Sequence, residues 1–273
     1  MKIYISVDFE GLGGVVQFSD VERGNNYKQY YLMEHLRALL RGLGKNQILI
    51  SDSHAMGDNI LWEISREFSN VELISGGLRK NYMMSGINET FDRVIFLGYH
   101  AGVGTMYATM DHTYSSSAIH NIWINGQIMN EALINAAFAG LYDVPVTMVI
   151  GDDKLKSELS ALKNIVYVET KTSLGRYAAK FKPMVTVMEE IERSAREMLQ
   201  KPESEFSIFK FEPPIEMIVE LSDTARADIV EILPLIERID GRKVRIIHDD
   251  YEVIFNAILS IAYLCSVVKH IGR

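Results

Sequence analysis

Asp8, Glu10, His54, His100 and Glu131 are the residues of this chain on which chemistry could be built. Carboxylates and imidazoles are the ligand set of Zn²⁺ and other first-row metals. Each of the five stands where an apolar, strand-like run ends or where a helix begins. A carboxylate pair, two strand-end histidines and a helix-borne glutamate make a site that could hold two metals. His112, which comes after His100 in a stretch rich in Ser and Thr, is a candidate for the chemistry itself.

The elements needed to position these side chains are legible around them. Residues Lys2 to Val7 alternate, with Ile3, Ile5 and Val7 on one face, and read as a strand ending at Asp8. The period of two puts Asp8 and Glu10 on one face if the extension continues that far. A helix is expected from Tyr27 to Gly42, with Leu32, Leu36, Leu39, Leu40 and Leu43 at helical spacing. The run from Gln47 to Ile50 leads into Ser51-Asp52-Ser53-His54, and a short helix is expected over residues 59–67 before a strand from Val71 to Ile74. Val94 to Leu97 is a continuous apolar run of the kind an inner parallel strand requires, and it closes at Gly98-Tyr99-His100. Ile119 to Ile128, folded about Asn125-Gly126, reads as a hairpin. A helix then begins near Asn130, with Glu131 in its first turn, and Val146 to Ile150 is a further strand.

Alternation of strand and helix makes residues 1–155 an α/β domain with a mostly parallel sheet. In such sheets ligands bind beyond the carboxyl ends of the strands, where Asp8, Glu10, His54 and His100 all fall. Alone, each reads most simply as a solvated turn carboxylate or an ordinary loop histidine. Four in equivalent positions make that reading much weaker. Residues 156–273 change character: a long helix starting at Pro183, alternating Ile215 to Leu221, two strand-like runs about Asp240-Gly241, and a last helix from Tyr251 to Val268. They read as a smaller α+β domain.

Two packed carboxylates repel unless one is protonated or a cation neutralises both. A dication does so, and Asp8 could be shared between two of them. The other histidines, His35, His120, His248 and His270, take structural or surface readings. The glycines at positions 11, 13 and 14 lack the full dinucleotide-loop spacing.

Composition narrows the classes further. The chain has 273 residues, 48% of them hydrophobic, and a net charge of −8, which gives no basic stripe for a nucleic acid. Its single cysteine, Cys265, rules out an internal disulfide and a cysteine-based zinc site. The N-terminal segment enters a strand directly, without the pattern of a signal peptide. The longest apolar stretch, Ile254 to Val268, is broken by Asn256, Ser260 and Ser266 and is expected to be too short to span a bilayer. A cytoplasmic location, with no membrane partner, is the plain expectation.

Six ordered motifs now stand out: Ser6-Val7-Asp8-Phe9-Glu10-Gly11, Ser51-Asp52-Ser53-His54, Leu97-Gly98-Tyr99-His100-Ala101, Met110-Asp111-His112, Asn130-Glu131 and the run from Pro145 to Asp153. Together they resemble the DppA-type D-aminopeptidases, zinc metallopeptidases associated with dipeptide-transport operons. By motif the resemblance covers about the first 155 residues, and it loosens over the loop from Ala101 to Asp111. It implies that Asp8, Glu10 and His54 hold one zinc and that Asp8, His100 and Glu131 hold a second, with Asp8 bridging. It also implies that His112 is the catalytic histidine and that the chain assembles as a ring-like homodecamer around its active sites. The expected function is a two-zinc aminopeptidase acting on short peptides, releasing N-terminal D-residues. One rival is a metal-dependent hydrolase of another class, such as an amidase or a phosphoesterase. A phosphoesterase would need cations near the metals, and Arg79, Lys80 and Arg93 are the candidates. The other rival is a non-catalytic metal- or peptide-binding protein of a transport pathway.

Overall fold

A computed structural model describes residues 1–21 and 26–268, and of Asn26 and Tyr27 the backbone alone. His270 lies outside the described residues. In chain order the elements are β1 (Lys2–Val7), α1 (Asn26–Leu43), β2 (Gln47–Asp52), α2 (Ile64–Glu67), β3 (Val71–Ile74), β4 (Arg93–Tyr99), β5 (Ile119–Ile124), β6 (Gln127–Ile128), α3 (Glu131–Gly140), β7 (Val146–Gly151), α4 (Asp153–Glu158) and β8 (Val166–Glu169). Next come β9 (Lys171–Gly175), β10 (Ala178–Phe181), α5 (Met184–Gln200), β11 (Ile215–Leu221), α6 (Thr224–Val230), β12 (Glu237–Arg238), β13 (Lys243–His248) and α7 (Tyr251–Val268).

Six of these strands form a parallel sheet in the order β3-β2-β1-β4-β7-β8. The inner strands are buried on both faces, so alternate residues feed two cores. Ile3, Ile5 and Val7 of β1 pack with Leu32, Leu36 and Leu39 of α1 and with Ile191 and Ala195 of α5. Tyr4, Phe96 and Tyr99 point the other way, into a core built from α3, α7 and a second sheet. That second sheet is antiparallel, in the order β12-β13-β11-β5-β6. The fold class is thus α/β, with a large parallel sheet and a smaller antiparallel one.

Residue 155 does not fall between the two sheets. The hairpin β5–β6 precedes it, yet its partner is β11, so the hairpin belongs to the antiparallel sheet. Conversely, β8 closes one edge of the parallel sheet and α5 packs along α1. The chain therefore crosses between layers several times. The helix expected over 59–67 is confined to Ile64–Glu67. Its intended first turn is drawn away by Asp52, whose carboxylate accepts the N–H groups of Asn59 (2.6 Å) and Ile60 (2.7 Å). Helix α7 spans the expected Tyr251–Val268 and so extends beyond the apolar stretch from Ile254 to Val268. By length and composition its 18 residues are enough to cross a membrane, but here Ile254, Phe255, Ile258, Ile261 and Cys265 are buried in the core beside α3 and β11.

His35 shows how tightly the α1 side is closed. Its ring is buried and its Nδ1–H donates to the Tyr31 carbonyl (2.7 Å), which leaves Nε2 to accept the Gly13 N–H (3.2 Å). The bond from Gly13 needs the neutral ring, since a protonated Nε2 cannot accept, and burial pushes its pKa down from 6.5 to about 4. The unfolded chain therefore binds this proton first, and stability is full above about pH 6.5 and falls as the pH drops towards 4. The loss attributable to His35 is up to about 3 kcal/mol. Denaturant titrations of wild type and His35→Gln at several pH values should show the wild type losing more stability across this window. Parallel pH dependence in the two proteins would contradict the assignment.

Candidate metal centre

The parallel sheet reverses its strand order at β1 and β4, and a crevice opens there beyond the strand ends, where open α/β sheets bind ligands. Asp8 comes directly after β1, and its N–H still belongs to the ladder, donating to Leu97 (2.8 Å). His100 comes directly after β4. The two strand ends approach so closely that side chains are excluded between them. A Cβ on Gly11 would lie 1.8 Å from the Tyr99 carbonyl oxygen, and one on Gly98 would lie 2.2 Å from that of Asp8. Gly98 also has φ +81°, which favours glycine.

His54 comes from the end of β2. The Asp52 carboxylate that gathers Asn59 and Ile60 also lets the Asn59 amide donate to the His54 carbonyl (2.8 Å). Glu131 opens α3. Asn130 caps that helix by accepting the Leu133 N–H (2.8 Å). The Glu131 carboxylate accepts the N–H of Tyr114 (2.7 Å). All six residues singled out from the sequence are buried and meet here. Three ligand groups can be drawn among them: Asp8, Glu10 and His54; Asp8, His100 and Glu131; and Glu10, His100 and His112. In each the ligand atoms lie within 4.8 Å of one another.

The hydrogen bonding fixes which atoms face the centre. The Nδ1 of His100 bonds the Ala101 carbonyl (2.9 Å), and that of His112 bonds the Met110 carbonyl (2.8 Å). A carbonyl can only accept, so both Nδ1 atoms carry the proton, and in the neutral rings Nε2 is a bare lone pair. This is the arrangement that carbonyls behind a metal-binding histidine impose on its ring. The His100 Nε2 stands 3.4 Å from Asp8 Oδ2 and 3.5 Å from Glu131 Oε1. His54 Nε2 is 3.2 Å from Glu10 Oε1. Four buried atoms here have no hydrogen-bond partner among the described residues: Asp8 Oδ2, Glu10 Oε2, His54 Nδ1 and His100 Nε2. Such groups are costly to bury unsatisfied. The His100 and His112 rings stack, with centroids 4.2 Å apart and planes at 6°. His112 Nε2 stays 3.8 Å from both Glu10 and Glu131, beyond hydrogen-bonding reach.

The electrostatics of the cluster's own groups point the same way. Burial and then the neighbouring Glu10 and Glu131 raise the Asp8 carboxyl well above its usual range. Burial opposes the charged form of His54, but Glu10 outweighs it and holds the imidazole up at about 9. His112 is displaced downwards by burial and by the adjacent His100, so it is held neutral. Burial works against the charged forms of Glu10, Glu131 and His100, but their pairing outweighs it and holds both carboxyls below their usual range and the His100 imidazole above its own, so among the carboxyls Asp8 alone retains its proton and the cluster draws in positive charge.

Around it a cavity of about 630 Å³ is walled by Phe18, Tyr82, Ser115, Ser116, Leu259 and Tyr263, among others. The cations a phosphoesterase would need are turned elsewhere. Arg79 binds the carbonyls of Gly76, Asp52 and Tyr82, Lys80 pairs with Glu252, and Arg93 binds the carbonyls of Met198 and Lys201. Of the other histidines, His120 is exposed on β5, and His248 accepts the Asp250 N–H at the start of α7. Sequence reasoning missed the outer supports, Lys171 and Thr170 of the β8–β9 turn and the network under Tyr99. An isolated Thr-Lys pair in an unrecognised strand carries no such signal.

A buried carboxylate–imidazole centre at the switch point of a parallel sheet defines a metal-dependent hydrolase. The profile of the peptidase M55 family, described as D-aminopeptidase, matches residues 1–260. The chain belongs to this family and is a peptide hydrolase. A D-aminopeptidase of Bacillus subtilis (strain 168) is 34% identical over 187 residues, which cover 66% of this chain and 67% of that one. A solved structure, the Zn-dependent D-aminopeptidase DppA from Bacillus subtilis, described as a self-compartmentalizing protease, superposes with a TM-score of 0.91 at 26% identity. The match covers 97% of this chain and 98% of that one.

A cation entering this centre must displace the proton that His54 holds below about pH 9. Zinc titrated into chelator-treated protein at pH 7.5 should therefore release protons and bind more weakly as the pH falls. Calorimetry in buffers of different ionisation enthalpy measures both. Binding that releases no proton and keeps its affinity at pH 5.5 would show that these imidazoles are not ligands.

Proposed function

We propose that the chain is a two-zinc aminopeptidase that removes N-terminal D-residues from short peptides. The observation that carries this reading is the sharing of Asp8 between two ligand groups, one completed by Glu10 and His54 and the other by His100 and Glu131. The donor set suits zinc, and the unpartnered atoms Asp8 Oδ2, Glu10 Oε2 and His100 Nε2 carry lone pairs to which a cation would give a partner. The zinc dependence and D-aminopeptidase activity of the similar proteins support it. A bound zinc pair supplies Lewis acidity and makes water acidic enough to serve as a nucleophile at neutral pH.

The protein's own groups do the rest. His112 is held neutral with Nε2 facing the carboxylate cluster, and its Nδ1–H is spent on Met110. It can therefore accept a proton from an attacking water and return it to the departing amine nitrogen. The edge contact with Phe18 (5.4 Å) and the stack on His100 hold its plane. The acidic character of the centre favours a substrate's ammonium terminus. The polar Ser115 and Ser116 and the apolar Leu259 and Tyr263 enclose the rest of the peptide.

We extend the reading to a closed homo-oligomer, a decamer by the family resemblance, working in the cytoplasm. The self-compartmentalizing character of the similar structure supports assembly. So do the exposed Tyr107, on a loop, and Leu174 and Tyr177, on the β9–β10 hairpin, the two segments being joined by the Met110 N–H to the Arg176 carbonyl. A stable, fully active monomer in sedimentation experiments would remove this part.

Asp8 and His112 separate binding from chemistry. Asp8→Ala should lose metal and activity together. His112→Ala should keep two zincs and the fold while kcat falls about 10²–10⁴-fold, with KM changing much less. Metal analysis and steady-state kinetics on matched D- and L-dipeptides check both. Full metal content with near-wild-type kcat in His112→Ala would refute the catalytic assignment, and faster turnover of L- than D-peptides would refute the substrate preference.

A further inference from the structure

Among the centre's carboxylates, Glu10 has the least regular support. Asp8 is held by the β1–β4 ladder, and Glu131 by the first turn of α3 and the Tyr114 N–H. Glu10 stands past β1, in the loop from Phe9 to Gln17 that precedes a single 3₁₀ turn, and the peptide after it is tied to β4 on its N–H side, where Gly11 donates to the Gly98 carbonyl (2.7 Å), which leaves its carbonyl to be held from elsewhere. This loop is gripped from outside by two consecutive residues at the β8–β9 turn. The Lys171 ammonium donates to the carbonyls of Glu10 and of Val15 (2.7 Å for the latter), and the Thr170 hydroxyl donates to the carbonyl of Gly11. Both residues are fully buried.

A buried ammonium carries a desolvation cost of several kcal/mol. Among the described residues its hydrogen bonds go to main-chain carbonyls and not to a carboxylate. A neutral donor could tie one carbonyl at less cost. What the lysine adds is reach and multiplicity: one group with three donors bridges residues 10 and 15 and closes the loop on itself. The point it holds is the carbonyl of the residue whose carboxylate faces the centre, 3.2 Å from His54 Nε2. Rotation of that peptide would swing the carboxylate away.

We propose that Lys171 is a positioning residue that aims the Glu10 carboxylate and so sets the affinity of the cation held by Asp8, Glu10 and His54. Thr170 assists it. This rests on the two-metal reading above. The cation held by Asp8, His100 and Glu131 does not depend on this loop, so the effect is confined to one of the two.

The test is a zinc titration of full-length, chelator-treated protein against a chromophoric chelator. It is paired with the visible spectrum of the cobalt-loaded form and with thermal melting without metal. His54→Ala and His100→Ala serve as references for loss of each cation. Wild type should bind two equivalents; fewer would overturn the two-metal reading, and this is seen before any variant is compared. Lys171→Met should weaken one equivalent about 10–100-fold and leave the other unchanged, with a cobalt spectrum like that of His54→Ala. Thr170→Val should weaken the same equivalent by less. Equal weakening of both cations, or a lowered melting temperature with no change in either, would overturn the proposal. If Lys171→Met fails to fold, Thr170→Val decides: a selective shift at the His54 cation supports it, and none overturns it.

Discussion

Three carboxylates, from Asp8, Glu10 and Glu131, are buried within a few ångströms of one another, and the rest of the structure is arranged around the cost of keeping them there. In a cation-free interior such a cluster is relieved by protonating a member, and the raised pKa of Asp8 is that response. Imidazoles facing the cluster through Nε2 cannot hydrogen-bond to it without taking up protons, because Nδ1 is committed to main-chain carbonyls in His100 and His112. The centre is thus locked in a form that only added positive charge satisfies. That the chain folds this way at all requires the surrounding framework to be stiffer than the repulsion it contains.

The stiffness comes from below as well as from the sides. Under the centre, the Ser6 hydroxyl lies 2.7 Å from that of Tyr99. Tyr99 accepts the Asn135 amide (2.8 Å), and the Asn135 carbonyl oxygen accepts the Tyr114 hydroxyl (2.8 Å). This buried chain joins β1, β4 and α3 to the loop that carries His112. Tyr114 sits at φ +58°, and its N–H donates to Glu131. Hydrogen-bonded networks of this kind are stable when every member is satisfied, and here they convert three separate elements into one support.

The sequence announced the centre better than it announced the scaffold. Asp8, His54 and His100 were legible because each terminates an apolar run, and strand ends in a parallel sheet share one edge by geometry. The hairpin at Asn125-Gly126 and the start of α3 at Asn130 were legible because their signals are local: a tight turn and a capping side chain. The split between sheets was not, because β5 finds its partner β11 about ninety residues later and no local pattern marks a non-local pairing. Helix α2 was overextended because the Asp52 carboxylate, a tertiary contact, takes the N–H groups that would have started it. Lys171 was invisible for a related reason. A lysine in a short strand reads as solvated, and only the fold reveals that it points inward.

The crossing of the chain between its two layers also governs when a working enzyme exists during synthesis. Every ligand-type side chain of the centre lies at or before Glu131, but the ammonium that grips the Glu10 loop lies at position 171 and the cavity wall is completed by Leu259 and Tyr263 of α7. A ribosome-bound chain that has made these side chains still lacks β7 and β8 of the parallel sheet, the Lys171 clamp and one side of its pocket. The order of residues along the polymer therefore acts as a timer: the pocket is complete only once α7 has been made and has packed against the core.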